Sequence, residues 1–297
     1  MQHLTYAFRF IGACFSLALN HPRLRKPWFH LWMGGITLLI MGLIPMGIVI
    51  ALVGIKPWGM FLIGLLVTLL LFCVLAWGEI TALETCLVFD DVIWMTLELP
   101  GSSEQKRDDA HWQDVFQWVL ILPGLEAIRL FNQAFRPAHA EQSDWLAASY
   151  LMLPTIALED FSLREGIERI KQLVRDRLLR FHPDLVGVRL VAGVVQWTFI
   201  IAGGLLGLWV GLKMADPVTA GLLSRLVAVV VGVMLTGILS LIGIHFSSFY
   251  RACYYTTLYQ WALNVENARM TGDASQSVPP AILSQVMKKK NQSKKES

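Results

Sequence analysis

His139 and Asp144 have the spacing H-x-x-x-x-D, which would suit a general base and the group that orients it. The histidine would take the proton from a substrate hydroxyl, and the aspartate would hold the imidazole in place. The surrounding residues form a polar loop, and no glycine-rich segment that could hold a phosphate follows them. A lipid-modifying enzyme centred on His139 is therefore the weakest of three functional hypotheses.

The remaining reactive residue types also lack a catalytic arrangement. His245 stands beside Ser247 and Ser248, but there is no G-x-S-x-G motif, and neighbouring residues on a helix do not face one another. The four cysteines are scattered, without a C-x-x-C pair or a metal-binding spacing. The sequence thus predicts no enzyme activity, no catalytic residues, no cofactor, no metal and no disulfide framework.

The composition indicates a membrane protein. Hydrophobic residues make up 55% of the chain and charged residues 16%, whereas about a quarter of a soluble domain is charged. The net charge of +3 is too small to indicate a nucleic-acid partner.

Long uncharged stretches define the spans. One covers the 23 residues from Leu190 to Leu212, and another covers the 19 residues from Leu226 to Ile244. As a helix, each reaches across a hydrocarbon core of about 30 Å. Residues 31–55 and 58–78 form another pair of uncharged or nearly uncharged stretches of similar length, nearer the start of the chain. We expect an all-α integral membrane protein with four transmembrane helices in two hairpins, and with amphipathic helices on the cytoplasmic side.

The segments follow in order along the chain. They are an interfacial helix (1–27), transmembrane hairpin 1 (28–89), a cytoplasmic or interfacial segment (90–161), a basic amphipathic helix (162–182), transmembrane hairpin 2 (183–250), a juxtamembrane helix (251–270) and a flexible basic tail (271–297). In the first helix, Leu4, Phe8, Ile11, Phe15 and Leu19 share one apolar face.

The basic amphipathic helix begins with a capping box formed by Ser162 and Glu165. Its basic residues crowd the face opposite the apolar one, a pattern that suits an anionic membrane surface. We therefore predict that lipid head groups contact Arg164, Arg169, Lys171, Arg175, Arg177 and Arg180.

Three glycines, Gly203, Gly207 and Gly211, recur every four residues in the third span. Since they carry no Cβ, another helix can approach this face closely. Packing within the chain is favoured over packing between two chains, and both remain open.

An internal repeat is the favoured explanation of a sequence match between the two halves of the chain. His21-Pro22-x-Leu24 matches His182-Pro183-x-Leu185 at an offset of 161 residues. Because both copies would start on the same side, they would be parallel repeats. The same offset carries Glu84 onto His245, close to Arg251, so we expect Glu84 to pair with one of these two side chains.

Lysine and arginine counts give the orientation. The segment to Pro27 has four, the middle segment ten and the part after Ser247 seven, whereas the two short turns carry one each. By the positive-inside rule, both termini face the cytoplasm.

The stretch from Ser149 to Lys171, with Pro154 ahead of Glu159-Asp160, resembles a segment of a broad group of bacterial multi-pass inner-membrane proteins without an assigned activity. The end of the chain, from Phe249 to Ala262, resembles the way those proteins finish. The resemblance implies the architecture and a bacterial inner membrane. It implies no reaction.

The leading functional hypothesis is a non-enzymatic accessory or scaffolding protein of the inner membrane. It would act through its cytoplasmic-side surface, with anionic lipid head groups and either a protein partner or a second copy as its contacts. A small transporter or channel built from two parallel repeats is the alternative. Against it, the spans lack a proline-broken helix with a buried charge near mid-membrane, apart from Pro45 in the first span.

Overall fold

The computed structural model describes residues 2–53, 57–96, 117–118, 121, 151–159, 161–175, 186–214 and 222–272. Every regular element within these ranges is a helix. Four of the helices are long and apolar enough to cross a membrane. The chain is therefore an all-α, multi-pass membrane protein, as its sequence predicts.

Seven α-helices have both bounds within the described ranges, beside one short 3-10 helix (Pro22–Leu24). They are α1 (Gln2–Asn20), α2 (Arg25–Val53), α3 (Pro57–Thr96), α4 (Met152–Glu159), α5 (Leu163–Arg175), α6 (Val186–Met214) and α7 (Leu222–Thr271). The spanning segments lie on α2, α3, α6 and α7. The predicted flexible tail lies outside the described residues from position 273 onward.

Proline and glycine set several helix boundaries. α1 ends just before His21, whose backbone is extended, and Pro22 then opens a single 3-10 turn. Pro57 is the first residue of α3, where a missing N–H leaves no hydrogen bond unmade. α7 stops ahead of Gly272, whose φ of 73° is the left-handed conformation that glycine adopts at helix ends.

Residues 251–270, predicted to form a juxtamembrane helix, are helical and continue the last span as part of α7. α7 runs without interruption through 50 residues, about 75 Å at a rise of about 1.5 Å per residue. α3 likewise has 40 residues and continues beyond Phe89, where the first hairpin was expected to end. No proline interrupts either helix after its span, so nothing in the backbone forces a break.

The described residues divide into two compact units. The bundle unit comprises residues 26–81 and 192–248, and the helix-end unit comprises residues 1–25, 82–191 and 249–297. α3 and α7 each contribute one part to each unit.

In the bundle unit, close helix contacts are made at glycines of α2, α3 and α6. A Cβ on Gly35 of α2 would collide with Leu241 of α7, and one on Gly78 of α3 would collide with Ile244. Leu39, Val74 and Ile200 add apolar side chains to the same core. α7 is thus the helix against which the other three pack.

In the helix-end unit, α7 is covered on all sides. Nine consecutive residues, 252–260, are buried, which a helix allows only when every face is in contact with protein. The ring of Phe10 in α1 meets Tyr254 edge-on, with 5.4 Å between ring centroids. The Cys86 thiol of α3 donates to the Ala252 carbonyl at 3.9 Å.

Candidate functional site

An ion-pair cluster joins three helices of the helix-end unit. Arg169 of α5 donates two hydrogen bonds to the carboxylate of Glu266 near the end of α7, at 3.0 Å and 2.5 Å. Its Nε donates to Glu159, the last residue of α4, at 3.2 Å. The two-pronged contact with Glu266 uses the planar guanidinium, which matches the geometry of a carboxylate.

Local sequence places α4 and α5 so that this cluster can form. The Ser162 amide and hydroxyl donate to the Glu165 carboxylate at 3.0 Å and 2.6 Å, and the Glu165 amide donates back to the Ser162 hydroxyl at 3.4 Å. This is the predicted capping box, and it fixes where α5 begins. One turn on, Gly166 packs so tightly on Met152 that a Cβ there would lie 2.8 Å from the methionine methyl group.

The cluster is largely shielded from solvent. The side chains of Arg169, Glu159 and Glu266 are 17%, 21% and 20% exposed. The hydrogen bond to Glu266 raises the pKa of Arg169 above its ordinary value, burial opposes this, and the charges of Glu159 and Glu266 add to the increase. The guanidinium therefore stays protonated, and the cluster holds the helices together instead of exchanging protons.

The basic residues of α5 do not share one environment. Arg169 was predicted to contact lipid head groups, and that prediction is wrong, because its guanidinium is engaged by two carboxylates inside the unit. Arg164 is 91% exposed and lies 3.8 Å from Glu168. Lys171 and Arg175 are exposed as well. The remaining two, Arg177 and Arg180, lie outside the described residues.

The three residues of the predicted polar pair lie in different surroundings. Glu84 and Arg251 are partly buried residues of the helix-end unit. His245 belongs to the bundle unit, where its ring meets Trp28 edge-on at 4.7 Å and lies 6.3 Å from Trp32. Two tryptophans of α2 thus contact the imidazole, which is one of the two partners predicted for Glu84. The pairing of Glu84 with His245 or Arg251 stays a prediction.

The glycine face of α6 lies against α7 of the same chain. A Cβ on Gly203 would come within 3.0 Å of Leu239, and one on Gly207 would collide with the backbone oxygen of Gly232. Gly211 is farther away, with the Ala228 oxygen at 3.4 Å from such a Cβ. The close approach that these glycines predict is therefore made within the chain.

The cluster includes residues that the sequence analysis did not select. Glu159 and Glu266 were not chosen as site residues, and they stand 10 and 97 positions from Arg169. Spacing along one helix could not have found them, since each lies on a different helix. Glu266 is the first charged residue after Arg251 in an otherwise uncharged stretch, which was the one available signal.

Three of the four cysteines are brought together despite their scatter in sequence. Cys14, Cys86 and Cys253 are buried in the helix-end unit, where Cys14 and Cys86 lie close enough to Cys253 to influence its thiol electrostatically. All four cysteines are free thiols. No group of three or more metal-ligating side chains within the described ranges is placed to hold a metal ion. His139 and Asp144 lie outside those ranges.

Fold and site define a helical membrane protein with four spans, in which a shielded ion-pair cluster joins α4, α5 and α7. The chain matches no family model, no curated protein and no solved structure.

Proposed function

We propose that this protein is a non-enzymatic accessory or scaffolding protein of the bacterial inner membrane. It acts through the helix-end unit, which lies on the cytoplasmic side together with both termini. The observation that carries the proposal is the cluster of Arg169, Glu159 and Glu266. A scaffold must present a surface of fixed shape, and this cluster fixes α5 against α4 and α7.

The lengths of the spanning helices support this role. α7 is about 75 Å long and α3 about 60 Å, whereas the hydrocarbon core is about 30 Å thick. Tens of ångströms of helix therefore extend past the hydrocarbon. Apolar packing and the ion pairs hold these extensions together in a compact unit. A protein that only had to cross the membrane would not need such a unit.

The charges on the outer face of α5 favour a protein partner. Three basic and two acidic residues are exposed there: Arg164, Glu165, Glu168, Lys171 and Arg175. A surface of mixed charge gains little from an anionic membrane, because its acidic residues are repelled. Charges of both signs instead allow complementary pairing with one partner and exclusion of others. Anionic head groups remain a proposed contact of the basic residues toward the end of α5.

Site-specific photocrosslinking in cells tests the proposal. A photoreactive amino acid replaces Gln172, which is exposed on α5, and a matched chain carries it at Leu205, an exposed apolar residue of α6. We expect a discrete protein–protein product from position 172 and only lipid adducts from position 205. The variant Arg164→Glu should remove the product without lowering the melting temperature, since this side chain is 91% exposed.

Two outcomes would contradict a scaffold. One is that position 172 gives lipid adducts alone, which would assign the face to the membrane surface. The other is that purified protein in proteoliposomes moves a solute at a rate that the Arg169→Ala variant changes. That result would favour the transporter hypothesis.

A further inference from the structure

α1 has two apolar faces, of which the helix-end unit covers only one. The covered side chains are at most 3% exposed, and they are Ala7, Phe10, Cys14 and Ala18. Phe8, Phe15 and Leu19 instead remain 62%, 45% and 52% exposed. Large apolar side chains in water raise the free energy of the protein, so this second face favours a contact outside the unit.

The exposed residues of α1 separate by chemistry around the helix axis. At about 100° per residue, Phe8, Phe15 and Leu19 lie within an arc of about 40° and form an apolar row. The residue that follows each of them is polar and also exposed: Arg9, Ser16 and Asn20. This polar row is therefore turned by about 100° from the apolar row. Two such rows side by side are the pattern of a helix that lies in a membrane interface.

Packing within the helix-end unit fixes the direction in which these rows face. Phe10 meets Tyr254 of α7 edge-on, with 5.4 Å between the ring centroids, and rotation of α1 about its axis would break this contact. The end of α1 is held as well, since the Arg25 guanidinium donates to the Leu19 carbonyl at 2.6 Å. The apolar row therefore points outward because of the fold.

The membrane is close to the end of this helix. Only His21 separates Asn20, the last residue of α1, from Pro22, where the first span begins. Two residues of chain reach about 7 Å at most, so the last turn of α1 lies at the membrane surface. Phe8 and Leu19 are 11 residues apart, about 16 Å along the helix. A helix that pointed away from the membrane would hold Phe8 that far out in water, whereas a helix parallel to the surface brings the whole apolar row to the lipid.

The charges around α1 favour an anionic bilayer over a protein as the occupant of this face. The first acidic residue of the chain is Glu79, so α1 and the turn after it carry only basic charges. Arg9 stands in the polar row, and Arg23 and Arg25 follow the helix. Basic residues beside an apolar row are typical of helices that bind membranes with negatively charged head groups. α5 differs, because its exposed face carries charges of both signs.

We propose that α1 anchors the helix-end unit in the membrane interface. Phe8, Phe15 and Leu19 insert among the acyl chains, and Arg9 meets the anionic head groups. The opposite face of α1 holds α7 through Phe10, so α1 connects the covered part of α7 to the bilayer surface. The anchor is separate from the scaffolding surface on α5, and it does not depend on which side of the membrane the unit occupies.

Spin labels on the full-length protein in nanodiscs test this anchor. The nanodiscs contain equal parts of phosphatidylcholine and phosphatidylglycerol, and each chain carries one cysteine, with the four native cysteines replaced by alanine. Labels are placed at three pairs of neighbouring exposed positions, which are Phe8→Cys and Arg9→Cys, Phe15→Cys and Ser16→Cys, and Leu19→Cys and Asn20→Cys. Oxygen concentrates in hydrocarbon and a nickel chelate stays in water, so the ratio of their collision rates with a label reports where the label lies. We expect this ratio to be at least about threefold higher at the first position of each pair, since an interfacial helix divides its faces between acyl chains and water.

Each other occupant gives a different result. If water covers the apolar row, the two positions of every pair collide equally with the chelate. If a protein partner or a second copy covers it, the labels at positions 8, 15 and 19 are immobilised, and neither oxygen nor the chelate reaches them. Either result overturns the proposal.

Two matched variants test the apolar row without moving the labels. Phe15→Asp places a charge in the apolar row, and Ser16→Asp places the same charge in the polar row. Neither side chain belongs to the covered face, so the contact of Phe10 with Tyr254 is kept. We expect Phe15→Asp to lower the collision ratio at position 8 at least about twofold, because a charge among acyl chains is costly, and Ser16→Asp to leave it unchanged. Equal responses to the two substitutions, including no response to either, would contradict the anchor.

Discussion

Arg169 and Glu266 are 97 positions apart in the sequence and meet through two hydrogen bonds. The contact joins the middle of α5 to the last turns of α7. Glu159 approaches the same guanidinium from α4, so one cation holds two carboxylates. These charged side chains are shielded from most of the surrounding water. Removal of one partner therefore leaves uncompensated buried charge, which lowers the stability of the folded protein.

We expect Arg169→Ala to reduce the free energy of unfolding by about 2–3 kcal/mol, because it leaves two shielded carboxylates facing each other. Thermal unfolding in mild detergent, followed by circular dichroism, measures the loss. Arg164→Ala is the control, since its ion pair is exposed and should contribute no more than about 0.5 kcal/mol. Equal losses from the two variants would show that the cluster does not stabilise the unit.

Arg169→Lys tests the geometry of the same contact. Lysine keeps the positive charge but cannot form two parallel hydrogen bonds with one carboxylate. We expect it to recover less than half of the stability lost in Arg169→Ala. Because the pKa of Arg169 is raised above its already high ordinary value, the guanidinium stays charged in the folded protein, and its contribution should be constant between about pH 7 and pH 10. A loss of the arginine's contribution within that window would contradict the assignment.

The capping box provides an independent measure of how firmly α5 is held. Ser162→Ala removes the hydroxyl that accepts a hydrogen bond from the Glu165 amide. Helix caps of this kind contribute about 1 kcal/mol to the free energy of unfolding. Proteolysis should then open the start of α5 sooner, while the melting temperature of the whole chain falls by a few degrees. Glu168→Ala, on the exposed face of the same helix, is the matched control. Cleavage at equal rates in both variants would exclude a role for the cap.

The spans and the start of α5 could be predicted because their signals are local. A span is predicted from an uncharged run of about 20 residues, and a capping box from a serine three residues before a glutamate. Neither prediction needs knowledge of distant residues. The surroundings of α7 beyond residue 250 could not be predicted from such local signals. Residues 251–270 were predicted to be a juxtamembrane helix, and only the surrounding helices show that α7 is covered on every side over residues 252–260.

Arg169 shows the same limit within the site. Its place on α5 follows the periodicity that put Arg164 and Lys171 on the outer surface. Arg169 differs from these two residues because its guanidinium binds carboxylates of α4 and α7, which tertiary packing brings together. Sequence spacing therefore identified a basic helix but could not separate its internal cation from its external ones.

The glycines of α6 offer a test in which neighbouring positions respond in opposite directions. An added methyl group on Gly207 would collide with the Gly232 carbonyl, so Gly207→Ala should destabilise the bundle unit by about 2–3 kcal/mol. Gly204→Ala meets nothing within 4 Å and should be neutral or stabilising by up to about 1 kcal/mol, as alanine favours the helix. Unfolding in mixed micelles measures both. A similar loss in each variant would mean that α6 and α7 do not pack through this face.

The orientation in the membrane is tested by labelling single cysteines from outside the cell. Each is placed in a chain whose four native cysteines are replaced by alanine. The turns that contain Lys56 and Asp216 carry one basic residue each, whereas the terminal and middle segments carry most of the lysines and arginines, which the positive-inside rule retains in the cytoplasm. We therefore expect an impermeant maleimide to label Lys56→Cys and Asp216→Cys in intact cells, and to reach Ser102→Cys and Ser284→Cys only after lysis. Strong external labelling at Ser102→Cys would put the middle segment outside, and the helix-end unit could then not serve as a cytoplasmic scaffold.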